Sequence, residues 1–437
     1  MTAATAALDA NDVVAVIGTV VNPSGLTHAK TVPFNRLNAF VDPGLGASPV
    51  WHGFTIDQTG IAMTEGVGVV GDERIRIDLS ALATLGDGLA WAPGSFFRQD
   101  GKPVPMCSRG ALAAIEQKLV DHGLTALIGH EMEFVLVAPD GSALPSDLWA
   151  QYGLAGVLEH EGFVHDVTAA AMVAGVGIEQ LHPEYGLNQF EISLRPRTPV
   201  AAADHLVLMR IIISRVARKY GMRVSLSPVP FAGAVGSGAH QHFSLTRGDV
   251  PLFSGGDGPH GMTAEGQSAI AGVLAGLPDV QGVLSGSILS GLRMQPGHWA
   301  GAWACWGSEN REAAIRFLSG GPSNPYGANV EVKIVDPSAN PYFASAAILG
   351  LALDGIDHEA SLPDEVAVDP ATVAGTAQLP DAQADIIAAL DNSTLMRRIL
   401  GDPAVTMLVL VRRHEMEQYG DLSPDELAAK FRLAWSL

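Results

Sequence analysis

Polar and apolar residues alternate with a period of two in four separate runs: Gly129–Phe134, Asn188–Leu194, Ala239–Leu245 and Val330–Val335. Successive side chains of a strand point to opposite faces, so each run predicts a strand with Glu, Gln, His or Lys on one side and Phe, Val, Ile or Leu on the other. Glu131 and Glu133 then share a face, which is how a strand presents paired metal ligands. Such strands can line a wet cavity inside a packed sheet. The pattern predicts one site with several carboxylates and a histidine.

The rest of the chain divides into two kinds of pattern. Residues 12 to 100 read as short strands broken by Gly, Pro and Asp, with Val13–Ile17 and Arg74–Leu79 the clearest. After a break near Gly94–Pro105, helical periodicity sets in at Ser108–Gly123, where Leu112, Ile115 and Leu119 make a stripe. Ala201–Tyr220 is the firmest helix, with Leu206, Met209, Ile213 and Val216 on one face and Gly221 just past its end. Further helices are expected within Ser146–Ala174 and over Thr263–Gly276, Asn340–Gly355, Ala382–Leu390, Thr394–Leu400 and Ala404–Tyr419, with a last one opening at Ser423. Ser254–Gly261 and Arg293–Gly307 are expected to be loops, the second carrying Trp299, Trp303 and Trp306. The expected class is α+β, with units at residues 1–104 and 105–437. Gly66-x-Gly68-x-x-Gly71 has the spacing of a dinucleotide-binding loop, but a strand-like run follows it where a helix is required.

A chain of 437 residues with 47% apolar and only 16% charged residues can bury more than one core. Its formal charge of −20 argues against nucleic acid or an anionic membrane as partner. An acidic protein that binds a polyanion must supply positive charge from metals and a few arginines. The 2 cysteines, Cys107 and Cys305, fit neither a disulfide framework nor a metal spacing, and Met1–Asn11 lacks the features of a signal peptide. No apolar run reaches the ~20 residues that cross a bilayer. A cytoplasmic location is expected.

Several motifs occur in a fixed order: Gly129-x-Glu131-x-Glu133-Phe134, Glu184, Gln189-x-Glu191, Gly236-Ser237-Gly238-x-His240-x-His242-x-Ser244-Leu245, Arg293-x-x-Pro296-Gly297, Asn310-Arg311-x4-Arg316, and Glu331-x-Lys333-x-x-Asp336-x-Ser338-Ala339-Asn340-Pro341-Tyr342. Together, across Gly129 to Gly355, they resemble the glutamine synthetase superfamily. The resemblance implies an N-terminal β-grasp domain, a glutamine-synthetase-type α/β catalytic domain, and homo-oligomeric rings, commonly two stacked hexamers making a dodecamer, with active sites between subunits. It implies ATP and two or more Mg²⁺ or Mn²⁺ ions per site. ATP phosphorylates a glutamate side-chain carboxylate, and an amine then displaces phosphate.

Carried over by motif, Glu133, Glu184 and Glu191 would hold one ion, and Glu131, His240 and Glu331 the other. Arg311 and Arg316 would face the phosphates, where fixed guanidinium donors stabilise developing charge. His242 and Asn329 would lie toward ATP. Glu133, Gly236, Arg293 and Lys333 would surround the amino-acid substrate, with Arg293 on its α-carboxylate. Each has a plainer reading: a solvated strand face for the Glu pairs, rim salt bridges for Arg311 and Arg316, and a helix cap for Asn340-Pro341.

The departures bear on the acceptor. A glutamate that helps bind ammonium in glutamine synthetases is replaced by Trp299, and an ammonium-binding aspartate of the N-terminal domain aligns with His52. Loss of both carboxylates with gain of an indole favours a larger, apolar or aromatic organic amine. His52 would take the proton as the amine attacks. Lys333 replaces an arginine and loses its bidentate fork, Val235 replaces an asparagine, and Asn329 stands where many members have an arginine. The expected activity resembles that of γ-glutamyl-anilide, -alkylamide and -polyamine synthetases, with polyamines less favoured because a dication would want acid where Trp299 lies. Ordinary glutamine synthesis and a non-catalytic ring protein are the alternatives.

Overall fold

The computed structural model describes residues 13–437; the expectation for Met1–Asn11 falls outside them. The chain is α+β. Its first sheet is built from β1 (Ala15–Val21), β2 (Thr27–Pro33), β3 (Leu45–Ala47), β4 (Glu73–Ile77), β5 (Ala83–Gly86) and β6 (Leu89–Phe97). The strand order is β2-β1-β6-β4-β3, with β5 also on β6. β1 and β6 are parallel neighbours, as in a β-grasp sheet. The short helix Leu37–Val41 sends Phe40 into this sheet, and Gly18 makes room: a Cβ there would lie 2.3 Å from the Phe40 ring. The run Gly66–Gly71 leads into β4 rather than a helix, so its glycine spacing is coincidental.

The second sheet holds β7 (Leu124–Val137), β8 (Ile178–Pro183), β9 (Gln189–Leu194), β10 (Arg223–Ser225), β11 (Gln241–Arg247), β12 (Val250–Pro251), β13 (Trp303–Ser308), β14 (Ala313–Leu318) and β15 (Asn329–Val332). Its order is β13-β14-β15-β11-β7-β9-β8, with β10 on β7 and β12 on β11. The alternation read from the sequence is observed: Ile128, Met132, Phe134, Phe190, Ile192, Phe243, Leu245, Val330 and Val332 are all buried on one face. At roughly 1.5–3 kcal/mol per large apolar side chain, this face is a main source of stability. The helices Ser108–Asp121, Pro199–Lys219 and Pro341–Asp357 contribute Leu112, Leu119, Val207, Met209, Ile213, Phe343 and Ala347 to the same core.

Two details tie the sheets together. Asn340 caps the helix Pro341–Asp357 by accepting from the N–H groups of Tyr342 at 3.0 Å and Phe343 at 3.2 Å. Its Nδ2 donates to the carbonyls of Val21 at 3.1 Å and Asn22 at 2.9 Å, at the end of β1. Asp57 accepts from Gly60 N at 2.7 Å, Tyr419 Oη at 2.7 Å and pairs with His414 at 2.8 Å, fixing the N-terminal loop to the helix Asp402–Tyr419.

The expected loop Arg293–Gly307 is corrected by the structure. Arg293 ends a short helix from Ser290, and Trp303–Ser308 is a strand paired with β14. Trp306 is buried and donates to the Pro363 carbonyl at 2.8 Å, so tertiary pairing overrides the glycine-rich local signal. Trp299 alone of the three indoles is exposed, at 53%.

Candidate active site

The polar face of the second sheet gathers the charged residues. Strand register puts Glu133 opposite Glu191 on β7 and β9, His242 opposite Glu331 on β11 and β15, and Arg316 opposite Glu331 on β14 and β15. Directly opposed residues of antiparallel strands project to the same side. His240 Nδ1 lies 3.7 Å from Glu131 and 3.5 Å from Glu331, while His242 Nε2 lies 3.3 Å from Glu131. Three groupings have ligand atoms within 4.8 Å of one another: Glu131–Glu191–His240, Glu131–His242–Glu331 and His182–Glu184–Glu191.

These groupings differ from the expected partition. Glu191 comes near Glu131 and His240, and His242 comes near Glu131 and Glu331 as well as facing Asn329, whose Oδ1 is 2.8 Å from its Nδ1. Glu133 accepts from Gln189 Nε2 at 3.0 Å and from Gly238 N at 2.9 Å. Gly238 is needed at its position because a Cβ would lie 2.5 Å from His240 Nε2 and 2.9 Å from Arg293 Nη2.

The cluster is electrostatically unbalanced. Burial, then the charges of Glu131, Glu133 and Glu184, raise Glu191 well above the ordinary carboxylate range. Burial works against ionisation of Glu131 too, but His242 and His240 hold it well below that range. For Glu331 burial is outweighed by Lys333 and the two histidines, and its pKa falls to about 2. Burial opposes charging of His242, yet Glu131 and Glu331 raise it to about 9. A carboxylate forced to keep its proton beside ionised ones, with the His242 imidazole charged to offset them, marks a place built for cations.

The basic residues flank this cluster. Arg316 donates to Glu331 at 3.1 Å and Glu309 at 2.5 Å. Lys333, buried, sits 3.1 Å from Glu331. Arg293 is buried, donates to the Lys333 carbonyl at 3.1 Å and lies 3.3 Å from His240 Nε2; Gly236 adjoins it, and a Cβ there would meet its Cγ at 2.9 Å. Arg311 is not part of this set. Its guanidinium carbon stands 5.9 Å from the centre of the Trp299 indole. His52 is also elsewhere: it is 1% exposed, with Nε2 2.8 Å from Glu73 and its ring against Phe96 in the first sheet. Within this chain the His52 ring is buried and one of its nitrogens is occupied by Glu73.

Beside the carboxylates opens a cleft of about 320 Å³. Glu131, His242, Ser244, Asn329, Leu127 and Tyr326 are among the residues that line it.

Residues 105–429 match the glutamine synthetase catalytic domain. The chain belongs to the glutamine synthetase family. It is 37% identical over 446 residues to a gamma-glutamylpolyamine synthetase of Streptomyces coelicolor, covering 99% of this chain and 96% of that protein. It is 30% identical over 334 residues to a glutamine synthetase of Pyrococcus abyssi, covering 74% of each. A solved structure described as a novel glutamine synthase homolog superposes with a TM-score of 0.87 at 29% identity, over 97% of this chain and 99% of that one. As a glutamine synthetase family member the chain is an ATP-dependent carbon–nitrogen ligase.

Enzymes of the glutamine synthetase family use ATP and divalent cations, and the donors here fit: carboxylate oxygens with imidazole suit hard divalent ions. Sequence reading missed two members of the site. His182 lies 3.1 Å from Glu184 and 3.8 Å from Glu191; its signal was the spacing His182-x-Glu184 across the end of β8, the same period of two used elsewhere. Tyr152 is raised to about 12 by burial and by Glu184, Glu133 and Glu191. It sits in a turn with φ of 54°, and no local pattern marks it.

Proposed function

We propose that this ligase joins the γ-carboxylate of glutamate to an organic amine rather than to ammonia. The observation that carries this reading is Trp299, an exposed indole at the loop position where the family resemblance expects an ammonium-binding glutamate. At that acceptor position a flat apolar face would give a carbon skeleton something to pack on. That the first relative above is named for polyamines supports an organic acceptor of some kind. We further propose Mg²⁺ or Mn²⁺ as the ions, a domain division at residues 104 and 105, a cytoplasmic location, and ring-shaped homo-oligomers with shared sites. Val69 at 87% and Val70 at 85% exposure form an apolar edge that a second copy would cover.

In this reading the ATP phosphates lie over Glu131, His242 and Glu331, with the nucleoside in the adjoining cleft. Arg316 is fixed by two carboxylates, so its guanidinium is preorganised for charge developing on the transferring phosphoryl group. Arg293 holds the glutamate α-carboxylate. Bound divalent cations supply charge neutralisation for the phosphates and the γ-carboxylate. Glutamate's γ-oxygen takes the terminal phosphoryl group as ADP leaves; the neutral amine nitrogen then attacks the acyl phosphate, forming the C–N bond as phosphate leaves and losing one proton.

The test is phosphate release by the full-length protein with ATP, Mg²⁺ or Mn²⁺ and glutamate, against ammonia, methylamine, isopropylamine, ethanolamine, putrescine and aniline. Mass spectrometry identifies the amide. Release driven by an organic amine, with its amide formed, supports the proposal. Release with ammonia alone returns the protein to glutamine synthesis and makes Trp299 a packing residue. Wild type that is silent with every acceptor points to a non-catalytic ring or another acid. Restoring glutamate in Trp299→Glu should reduce use of bulky amines relative to ammonia; an unchanged preference would sink the acceptor assignment.

A further inference from the structure

Arg293 is the last residue of a helix only four residues long, Ser290–Arg293. So short a helix does not hold itself, because nucleation costs more than its few hydrogen bonds return. What holds it is a buried carboxylate on another segment. Asp336 is 0% exposed; its Oδ2 accepts from Ser290 Oγ at 2.6 Å, and its Oδ1 accepts from Ser338 N at 2.9 Å and from the Ser338 hydroxyl. Ser290 Oγ also accepts from Ser287 N at 3.1 Å, and Asp336 N donates to the Leu284 carbonyl at 3.1 Å, so the turn before the helix is tied to the same residue. At the other end of the helix the Arg293 guanidinium donates to the carbonyls of Lys333 at 3.1 Å and Ile334 at 3.4 Å, just upstream of Asp336. The helix and the segment leaving β15 are thus joined at both ends, with His240 of the carboxylate cluster 3.3 Å from Arg293 Nη2.

The two charges are neighbours that do not bond to each other. Burial pushes the Asp336 carboxyl above the ordinary range, and Arg293 leads the groups that oppose this. Yet both carboxyl oxygens are taken by serines, and among the described residues Arg293 hydrogen-bonds backbone carbonyls rather than a carboxylate. A guanidinium fork kept free of protein carboxylates can still take one from a ligand. We propose that Asp336, acting through Ser290, is a positioning residue that aims the Arg293 fork at the α-carboxylate of the amino-acid substrate. This inference rests on the glutamate reading above. Asp336 is too deeply buried to touch the substrate itself. Its negative charge would repel an α-carboxylate, so what it contributes is geometry: a fixed anchor for the helix that carries Arg293.

An anchor that works by geometry makes a prediction that a charge or a general packing role does not. L-glutamate is titrated calorimetrically into the full-length protein with Mn²⁺ and ADP present, so that no turnover occurs, alongside 4-aminobutyrate, which lacks the α-carboxylate. In Ser290→Ala the Kd for glutamate should rise roughly ten- to a hundredfold, the range for a charge-assisted contact that is lost or misaimed. The Kd for Mn²⁺·ADP should not move, nor should the response to 4-aminobutyrate. Asp336→Ala should behave like Ser290→Ala. Asp336→Asn keeps a group that can hydrogen-bond both serines, and should bind glutamate nearly as wild type does. Unchanged glutamate binding in Ser290→Ala, an equal loss for 4-aminobutyrate or for Mn²⁺·ADP, or a loss in Asp336→Asn as large as in Asp336→Ala would each overturn the proposal. If Asp336→Ala does not fold, Ser290→Ala and Asp336→Asn decide it. Wild type that binds no glutamate would remove the glutamate reading and this inference with it; wild type and Ser290→Ala that bind glutamate equally well would remove this inference alone.

Discussion

Replacing Glu191 by glutamine should stabilise the metal-free protein while abolishing its response to metal. Glu191 shares a grouping with Glu131 in which ligand atoms lie within 4.8 Å of one another. Two unit charges at 4.8 Å repel by about 3.5 kcal/mol at an effective dielectric constant of 20. Glu191 escapes part of this by keeping its proton, as its raised pKa shows, at the cost of the energy needed to hold that proton. Gln keeps the shape and removes the charge, so a net gain of about 1–3 kcal/mol is expected without metal. The assay is calorimetric melting in EDTA and again in saturating Mn²⁺. In EDTA Glu191→Gln should melt a few °C above wild type. In Mn²⁺ the order should reverse, because wild type gains about 2.7 kcal/mol at a metal concentration one hundred times Kd while the variant gains far less. A variant that melts at or below wild type in EDTA would refute the claim that like-charge repulsion dominates at Glu191.

The same carboxyl gives a pH dependence of definite sign. Its folded pKa is raised, so the native state holds a proton that the unfolded state has released; metal-free stability should fall as pH rises through the folded pKa, and stabilisation by Mg²⁺ should grow over that window. Calorimetric titration of Mg²⁺ in buffers of different ionisation enthalpy should show proton release on binding, and less of it in Glu191→Gln, where only His242 still has a proton to give up. Arg316→Ala should lower kcat about 10²–10³-fold, in line with loss of one preorganised donor, with the KM for ATP little changed; a larger effect on KM would make Arg316 a ground-state contact. Gly238→Ala should raise the KM for glutamate and weaken Mn²⁺ binding together, because the added Cβ meets both Arg293 and His240. An effect on only one of the two would mean the turn relaxes instead.

Much of this site is legible in the sequence because strand alternation is local. The placement of Glu131, Glu133, Glu191, His242 and Glu331 on one face follows from period two alone, and the register of β7 against β9 and β11 brings them together. What period two cannot give is which carboxylate meets which. The partition into Glu131–Glu191–His240 and Glu131–His242–Glu331 depends on rotamers and on charge balance across strands. Tyr152 and the pairing of Arg311 with Trp299 were hidden for another reason: both depend on positive φ at Tyr152 and Trp299, conformations that no propensity pattern predicts for aromatic residues. The strand Trp303–Ser308 was masked by its glycines, since its partner β14 comes later in the chain.

The alternation also bears on how the chain finds its fold. β7 is the longest strand of its sheet and is paired on both sides, to β9 and to β11. A shift of one residue would turn Glu131 and Glu133 into the helix-packed interior and leave Met132 and Phe134 facing water. Burying two carboxylates without partners is far costlier than an apolar mismatch. The residues that crowd the site with charge thus act during folding as a proofreading device, rejecting the wrong alignment of the strand that carries them. Neutralising several of them at once would not only silence the site but remove the penalty that keeps β7 in register.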